Sequence, residues 1–237
     1  MSRTTIIAPG ISYCWTENGV PPSADSFLLA DFASPRIKGR VCDLCGGAGL
    51  ISVLLCAKNK KGSYVCADID PSAVEMCRVN SASAGFEDMI TAEICDLTRI
   101  REYFAPGSFD SVVCNPPYHE IGGQLSPSRA SARSETDCSL EQVCVSGGEL
   151  LKNGGRFFVC MKASRIADLL VAMRNAKIEP KRLRFVSHSE GHEPFLALCE
   201  GVKGAAPSVC MCPELRLYGA DGKPTAESDR IYYGIGE

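Results

Sequence analysis

Apolar and polar positions change period repeatedly between residues 40 and 200, and the changes predict alternating strands and helices. Arg40–Leu44, Ser63–Asp68, Ile90–Cys95 and Phe109–Cys114 are short runs of small and β-branched apolar residues, the signature of strands covered on both faces. Between them, Ala48–Lys58 and Pro71–Ala84 read as helices and Leu97–Phe104 as a short helical stretch. Pro71 suits a first helical position, because its missing N–H would be unpaired there anyway. Further on the pattern predicts a helix over Leu140–Leu151, stopped by Asn153-Gly154-Gly155, then a strand over Arg156–Met161. A helix over Ile166–Asn175 follows, then an antiparallel strand pair, Ile178–Val186 and Phe195–Glu200. This order predicts an α/β fold with a doubly wound, mostly parallel seven-stranded sheet and a C-terminal antiparallel pair.

Residues 1–39 read as an N-terminal extension, with a hairpin turning at Asn18-Gly19 and a helix capped by Ser23. Residues 40–237 read as the main domain. Within it, Gly201–Pro213 is expected to be a loop, followed by a short tail.

Composition narrows the class. Apolar residues make up 45% and charged residues 22% of 237, as in soluble globular chains. No apolar run is long enough for a membrane span and the N-terminus has no signal-peptide pattern, so the expected compartment is the cytoplasm. The fourteen cysteines lie mostly inside apolar runs and read as core filling in a reducing cell. Cys42 with Cys45, and Cys210 with Cys212, have spacings that a zinc site could use, but no metal is expected. A net charge of −3 leaves any polynucleotide to a local patch, Lys177–Arg184 and Lys58–Lys61 being candidates.

Chemistry collects at the ends of the strands, where open α/β sheets bind ligands. Asp43 ends the first strand and precedes the small-residue turn Cys45-Gly46-Gly47-Ala48-Gly49. Such a turn lets a ligand approach the backbone closely. A carboxylate beside it would repel a pyrophosphate but could hold an ammonium group, which favours S-adenosylmethionine over a dinucleotide. Asp68 ends the second strand, where an acid can accept bonds from ribose hydroxyls; Asp70 reads as a helix cap. Asp96 follows the third strand and could accept from an adenine amino group.

The fourth strand runs directly into Asn115-Pro116-Pro117-Tyr118. Two prolines stiffen the backbone, so an asparagine amide, a proline carbonyl and a tyrosine ring are held in one arrangement. The two oxygens can accept both N–H bonds of a planar amino group while the ring covers its face. An Asn-Pro-Pro turn is also ordinary loop punctuation.

The order of these motifs resembles class I, Rossmann-type S-adenosylmethionine-dependent methyltransferases. Within them it is most similar to the bacterial adenine N6-methyltransferases that modify a valine tRNA beside its anticodon. The resemblance rests on Asp25-Ser-Phe-Leu-Leu-Ala, residues 43–49 and 115–118, Ala132-Arg133-Ser134-Glu135, Glu214-Leu-Arg-Leu-Tyr218 and Asp221-Gly222. Cys45 stands where such enzymes usually have glycine, and Ser134 where many have histidine. The resemblance implies methyl transfer from S-adenosylmethionine, leaving S-adenosylhomocysteine, to N6 of an adenine in RNA, with tRNA the expected partner. It implies Asn115, Pro116, Pro117 and Tyr118 as catalytic residues. Asp25, Asp43, Leu44, Cys45, Gly47, Gly49, Asp68, Ile69, Asp96, Leu97 and Asn115 are the implied cofactor set. Residues 119–139 read as a lid or a disordered insertion, the lid placing Arg129 and Arg133 with Tyr118 against the substrate. The alternatives are a protein glutamine N5-methyltransferase, whose substrate offers a similar NH2, and a catalytically silent cofactor-binding scaffold. A DNA adenine methyltransferase would need a target-recognition region, for which no segment is large enough.

Overall fold

A computed structural model describes residues 2–17, 19, 21–59, 62–116 and 139–234. Its core is a sheet in which strands β3 (Arg40–Leu44), β4 (Ser63–Asp68), β5 (Ile90–Ile94), β6 (Phe109–Cys114), β7 (Leu151–Lys162), β8 (Ile178–Ser187) and β9 (Leu196–Lys203) lie in the order β8-β9-β7-β6-β3-β4-β5. β3 to β6 pair in parallel, as β6 does with β7, and β9 runs antiparallel to both its neighbours. The connection reverses between β3 and β6, so their carboxyl ends flank the crevice of a doubly wound sheet.

Successive strand residues point to opposite faces, and each face has its own core. Val41, Cys66, Val113, Phe158 and Cys160 face α1 (Ala24–Ala33), α2 (Leu50–Asn59) and α3 (Pro71–Ser83). Cys42, Val65, Val112, Phe157 and Val159 face α4 (Leu140–Leu150) and α5 (Ile166–Asn175). Leu50–Ala57 of α2 are all buried, because this helix packs on the sheet and also against α1 and α3.

Several boundaries differ from the sequence reading. The N-terminal hairpin, β1 (Ser2–Ala8) with β2 (Ile11–Thr16), turns at Pro9-Gly10; of the expected turn, Asn18 lies outside the described residues. Gly10 takes φ +74 there, so the glycine and not an Asn-Gly pair supplies the positive φ. α2 starts two residues late, because Cys45, Gly47 and Gly49 all have positive φ and cannot begin a helix. Asn153-Gly154-Gly155 does not terminate a helix: α4 ends at Leu150 and β7 begins at Leu151. The triplet sits inside β7, where Phe109 pairs with Leu151 but Ser111 with Arg156, and Gly154 at φ +75 absorbs the extra residues. The stretch 201–213 is only partly a loop, since β9 runs to Lys203 and the short strand β10 (Cys210–Met211) pairs with β8, as does β11 (Leu215–Arg216), so that the sheet has nine strands among the described residues where seven are expected.

Three of the four basic side chains in the candidate patch at 177–184 are tied up internally. Lys181 donates to Ala206 O, and Arg184 forms a two-pronged pair with Glu227 at 2.8 and 2.9 Å. Arg182 pairs at 2.9 Å with Glu200, a fully buried carboxylate also met by Arg156 and by Arg36 at 3.8 Å. These arginines come from the turn after α1, from β7 and from β8, so Glu200 of β9 fastens these segments together. In the second candidate patch, Lys58 pairs with Asp31 at 3.1 Å and Lys60 and Lys61 lie outside the described residues.

The C-terminal helix α6 (Ala226–Tyr233) docks back on α1. Arg230 donates to both oxygens of Asp31 at 2.8 and 3.0 Å, and Tyr232 packs on Phe27 with ring centres 5.5 Å apart. Burial pushes the Asp31 carboxyl up, but the bonds from Arg230 and the charge of Lys58 outweigh it and hold it below the usual range.

Candidate active site

The carboxyl ends of four neighbouring strands bring together the polar residues singled out in the sequence. Asp43 lies in β3, Asp68 ends β4, Asp96 follows β5 and Asn115 follows β6, so the strand order places them in one row along the crevice.

Asp43 is 1% exposed. Its Oδ2 accepts from Ser52 N at 3.0 Å and Ser52 Oγ at 2.8 Å, whereas its Oδ1 is buried without a hydrogen-bond partner among the described residues. Burial pushes the carboxyl up to about 7; the Ser52 bonds pull against this and the Asp68 charge adds to it.

Asp68 is buried and braces the turn, with Oδ2 accepting from Gly47 N and Oδ1 from Asp70 N, both at 2.9 Å. Asp70 caps α3 by accepting from Ser72 N at 2.9 Å. Asp96 caps the 3-10 turn Leu97–Glu102, taking Thr98 N at 2.9 Å and Thr98 Oγ1 at 2.7 Å on one oxygen. Of the apolar candidates, Ile69 is 45% exposed beside the turn, while Leu44 and Leu97 are buried in the α4 face of the core.

The turn can exist only because of its small residues. Gly49 has φ +80, and a Cβ there would stand 2.4 Å from Cys77 Sγ. A Cβ on Gly47, by contrast, would meet no atom within 4 Å among the described residues, which leaves room for a ligand on this side of the turn. Cys45 takes the left-handed conformation at φ 58 that glycine usually supplies, at a cost of about 1 kcal/mol. Behind the turn, Asn80 of α3 is fully buried. It donates to Ala48 O at 2.8 Å and pairs with both backbone groups of Cys14, at 2.7 and 2.9 Å. One amide thereby joins the N-terminal hairpin to the ligand-facing turn, a link with no signal in the sequence. Asn80→Ala is expected to cost about 2 kcal/mol in urea unfolding, because it leaves buried backbone groups unpaired; an unchanged midpoint would contradict that link.

Asn115 is half-buried, and Pro116 after it is buried. The Asn115 Nδ2 donates to Ser26 Oγ at 3.1 Å, and Cys160 Sγ donates to Asn115 Oδ1 at 3.2 Å. Neither partner was legible in the sequence: Ser26 reads as helix and Cys160 as core filling. Asp25, next to Ser26 on α1, is half-buried near Tyr232. Pro117, Tyr118, Arg129 and Arg133, with the whole stretch 117–138, lie outside the described residues. Among the described residues no group of three His, Cys, Asp or Glu side chains is arranged for a metal, and no helix is long and apolar enough to cross a membrane. Cys42, of the first candidate zinc pair, fills the core.

The profile of the family described as the methyltransferase small domain matches residues 17–173. A tRNA1(Val) (adenine(37)-N6)-methyltransferase of Shewanella loihica is 28% identical over 165 residues, 68% of each chain. Its counterpart in Shewanella amazonensis is 34% identical over 127 residues, 53% of this chain and 54% of that one. A predicted O-methyltransferase of Agrobacterium tumefaciens superposes with a TM-score of 0.73 at 18% identity, covering 88% of this chain and 95% of the other. The 16S rRNA N2 G1207 methyltransferase of T. thermophilus, in complex with AdoMet and guanosine, gives 0.57 at 16%, covering 85% and 50%. These structures share the fold. The matched stretch takes in α1, the glycine turn, all four polar strand ends and Cys160, and the chain belongs to the methyltransferase small-domain family.

Proposed function

We propose that this methyltransferase transfers a methyl group from S-adenosylmethionine to the exocyclic N6 of an adenine in RNA, with tRNA as the substrate class. The observation that carries the reading is the Asn115 carboxamide, held at the end of β6 beside the open glycine turn. The names of the relatives at 28% and 34% identity support the choice of adenine and of tRNA.

The residues present fit the cofactor. Asp43 offers a buried carboxylate oxygen without a partner for an ammonium group, and Gly47 leaves open space for close backbone approach. Asp25, Asp43, Leu44, Cys45, Gly47, Gly49, Asp68, Ile69, Asp96, Leu97 and Asn115 are the proposed holding set. S-adenosylmethionine, when bound, supplies a methyl group on a sulfonium, which is a strong electrophile.

The chain's own part is alignment. The N6 lone pair of adenine is delocalised into the ring, so the nitrogen is a poor nucleophile. The Asn115 oxygen and the Pro116 carbonyl accept its two N–H bonds and favour a more tetrahedral nitrogen, with the lone pair turned to the methyl. The nitrogen's proton can leave to water after attack, so no strong base is required. Orientation of this kind is worth on the order of 7–11 kcal/mol in favourable cases. Tyr118 stacks on the base, contributing about 1–3 kcal/mol, and Arg129 and Arg133 meet phosphates. Residues 1–39 act as an extension of the 40–237 methyltransferase domain, lending Asp25 and Ser26 to the site. The reading puts the protein in the cytoplasm with its RNA.

The test incubates purified protein and radiolabelled S-adenosylmethionine with bulk tRNA, and separately with total protein, each from a strain lacking the gene. Label in tRNA that digests to N6-methyladenosine is the expected result. Label in protein instead would move the assignment to glutamine N5, and label in neither would overturn the tRNA reading.

A further inference from the structure

An asparagine amide can rotate by half a turn and exchange its oxygen for its nitrogen, since the terminal torsion is broad and nearly two-fold. In this site that exchange would present a donor where an acceptor is required. Asn115 is gripped at both ends. Its Nδ2 meets Ser26 Oγ at 3.1 Å, and its Oδ1 takes the thiol of Cys160 at 3.2 Å. Ser26 is 7% exposed and Cys160 fully buried. Ser26 is itself anchored, its Oγ lying 3.0 Å from the Oγ of Ser23, the N-cap of α1, which accepts from Ser26 N at 3.4 Å. The chain Ser23–Ser26–Asn115–Cys160 thus crosses α1, the end of β6 and β7, and α1 packs on β7 and β9.

With its proton given to Ser23 Oγ, 3.0 Å away, the Ser26 hydroxyl can only accept from the amide, and this sets the sense of Asn115. A hydroxyl oxygen accepts an amide N–H well, whereas a thiol donates weakly and its sulfur is a weak acceptor. Turning the amide over would set Nδ2 against sulfur and forfeit the thiol-to-oxygen bond. In the observed sense one lone pair of Oδ1 is used by Cys160 and the second remains for a substrate.

We propose that Ser26 and Cys160 are positioning residues that lock the Asn115 carboxamide with its oxygen presented as an acceptor, so that the site takes an amino group and turns away a carbonyl edge. The proposal rests on the reading above that Asn115 receives the acceptor nitrogen.

Its first test needs no substrate. The Asn115 side-chain NH2 resonances, identified by their loss in Asn115→Ala, are expected to shift in Ser26→Ala and in Cys160→Val, and to stay near their wild-type positions in Cys160→Ser. The second test is single-turnover methylation of tRNA. Ser26→Ala and Cys160→Val are each expected to lower the rate about tenfold while the Kd for S-adenosylmethionine changes less than about twofold. Cys160→Ser, which keeps a donor, recovers most of the rate. In an Asn115→Ala background neither substitution should slow the reaction further, because both act through that amide. Unmoved Asn115 resonances in both variants, or the same fractional loss in the Asn115→Ala background, would overturn the proposal. Shifted resonances in an enzyme that methylates no RNA would uphold the lock and overturn the adenine reading.

Discussion

Replacing Asn115 with alanine is expected to lower kcat for methyl transfer by about 10²–10³, the size of effect seen when one preorganised polar group is removed from a transition-state site. The argument is one of differential binding. The amino nitrogen of adenine is nearly planar in the ground state and becomes tetrahedral as the new bond forms, so an acceptor aimed at the tetrahedral geometry strengthens along the reaction. Asn115 is suited to this because its amide is held from both sides and needs no reorganisation as the nitrogen changes shape. The loss should fall on kcat, with KM for the RNA changing much less, since most of the grip on a polynucleotide comes from elsewhere. Asn115→Asp sharpens the test. It keeps the shape and an acceptor oxygen, but exchanges the N–H donated to Ser26 for a second oxygen and adds a charge in a half-buried position. If the amide works as described, the aspartate should retain more activity than alanine and far less than asparagine. A steady-state analysis of both variants decides the matter: a large rise in KM with kcat intact would mean that Asn115 contributes to binding alone.

The central strands of the parallel half were readable because they are covered on both faces. Ser63–Asp68 and Phe109–Cys114 are built around short apolar stretches, Tyr64–Ala67 and Val112–Cys114, each followed directly by a polar residue, and their limits match the structure residue for residue. Pro71 and Asp70 marked the start of α3 by the chemistry of a helix terminus. Legibility failed where tertiary pairing overrides local preference. Asn153-Gly154-Gly155 has the composition of a helix stop, yet pairing with β6 draws it into β7. Strands β10 and β11 have two residues each, too few for any periodicity. In the site, the acids and Asn115 were legible because strand ends are where a doubly wound sheet places its chemistry. Their supports were not. Cys160 lies 45 residues from Asn115, Ser26 lies 89 residues away, and Asn80 meets Cys14 across 66. A thiol in an apolar run looks the same whether it packs or donates. Glu200 did leave a trace, as a lone acid in an apolar strand, but its arginine partners at 36, 156 and 182 could be found only in three dimensions.

Cofactor affinity should rise with pH because of Asp43. Burial holds its carboxyl near 7 in the free protein, well above the value of about 3.9 in an unfolded chain. The native state therefore keeps a proton that the unfolded chain releases above pH 4. By linkage, this group favours folding most at low pH, and its contribution declines as pH rises from about 4 to 7. An ammonium group placed against the unpartnered Oδ1 would stabilise the carboxylate and lower its pKa, so binding expels the proton below pH 7. The α-amino group of the ligand stays largely protonated up to about 7.7, leaving Asp43 as the group that titrates. Between pH 5.5 and 7.5 the Kd for S-adenosylmethionine is then expected to fall on the order of 20-fold, each pH unit below the carboxyl's pKa approaching a factor of ten. Calorimetric titration across this range measures the affinity directly, and repetition in buffers of different ionisation enthalpy counts the released proton. Asp43→Asn keeps the shape and the capacity to accept from Ser52 but cannot ionise, so it should bind weakly with a nearly flat pH profile. A wild-type profile as flat as that of the asparagine variant would show that Asp43 is already ionised in the free protein. An equal slope in both would assign the titration to another group.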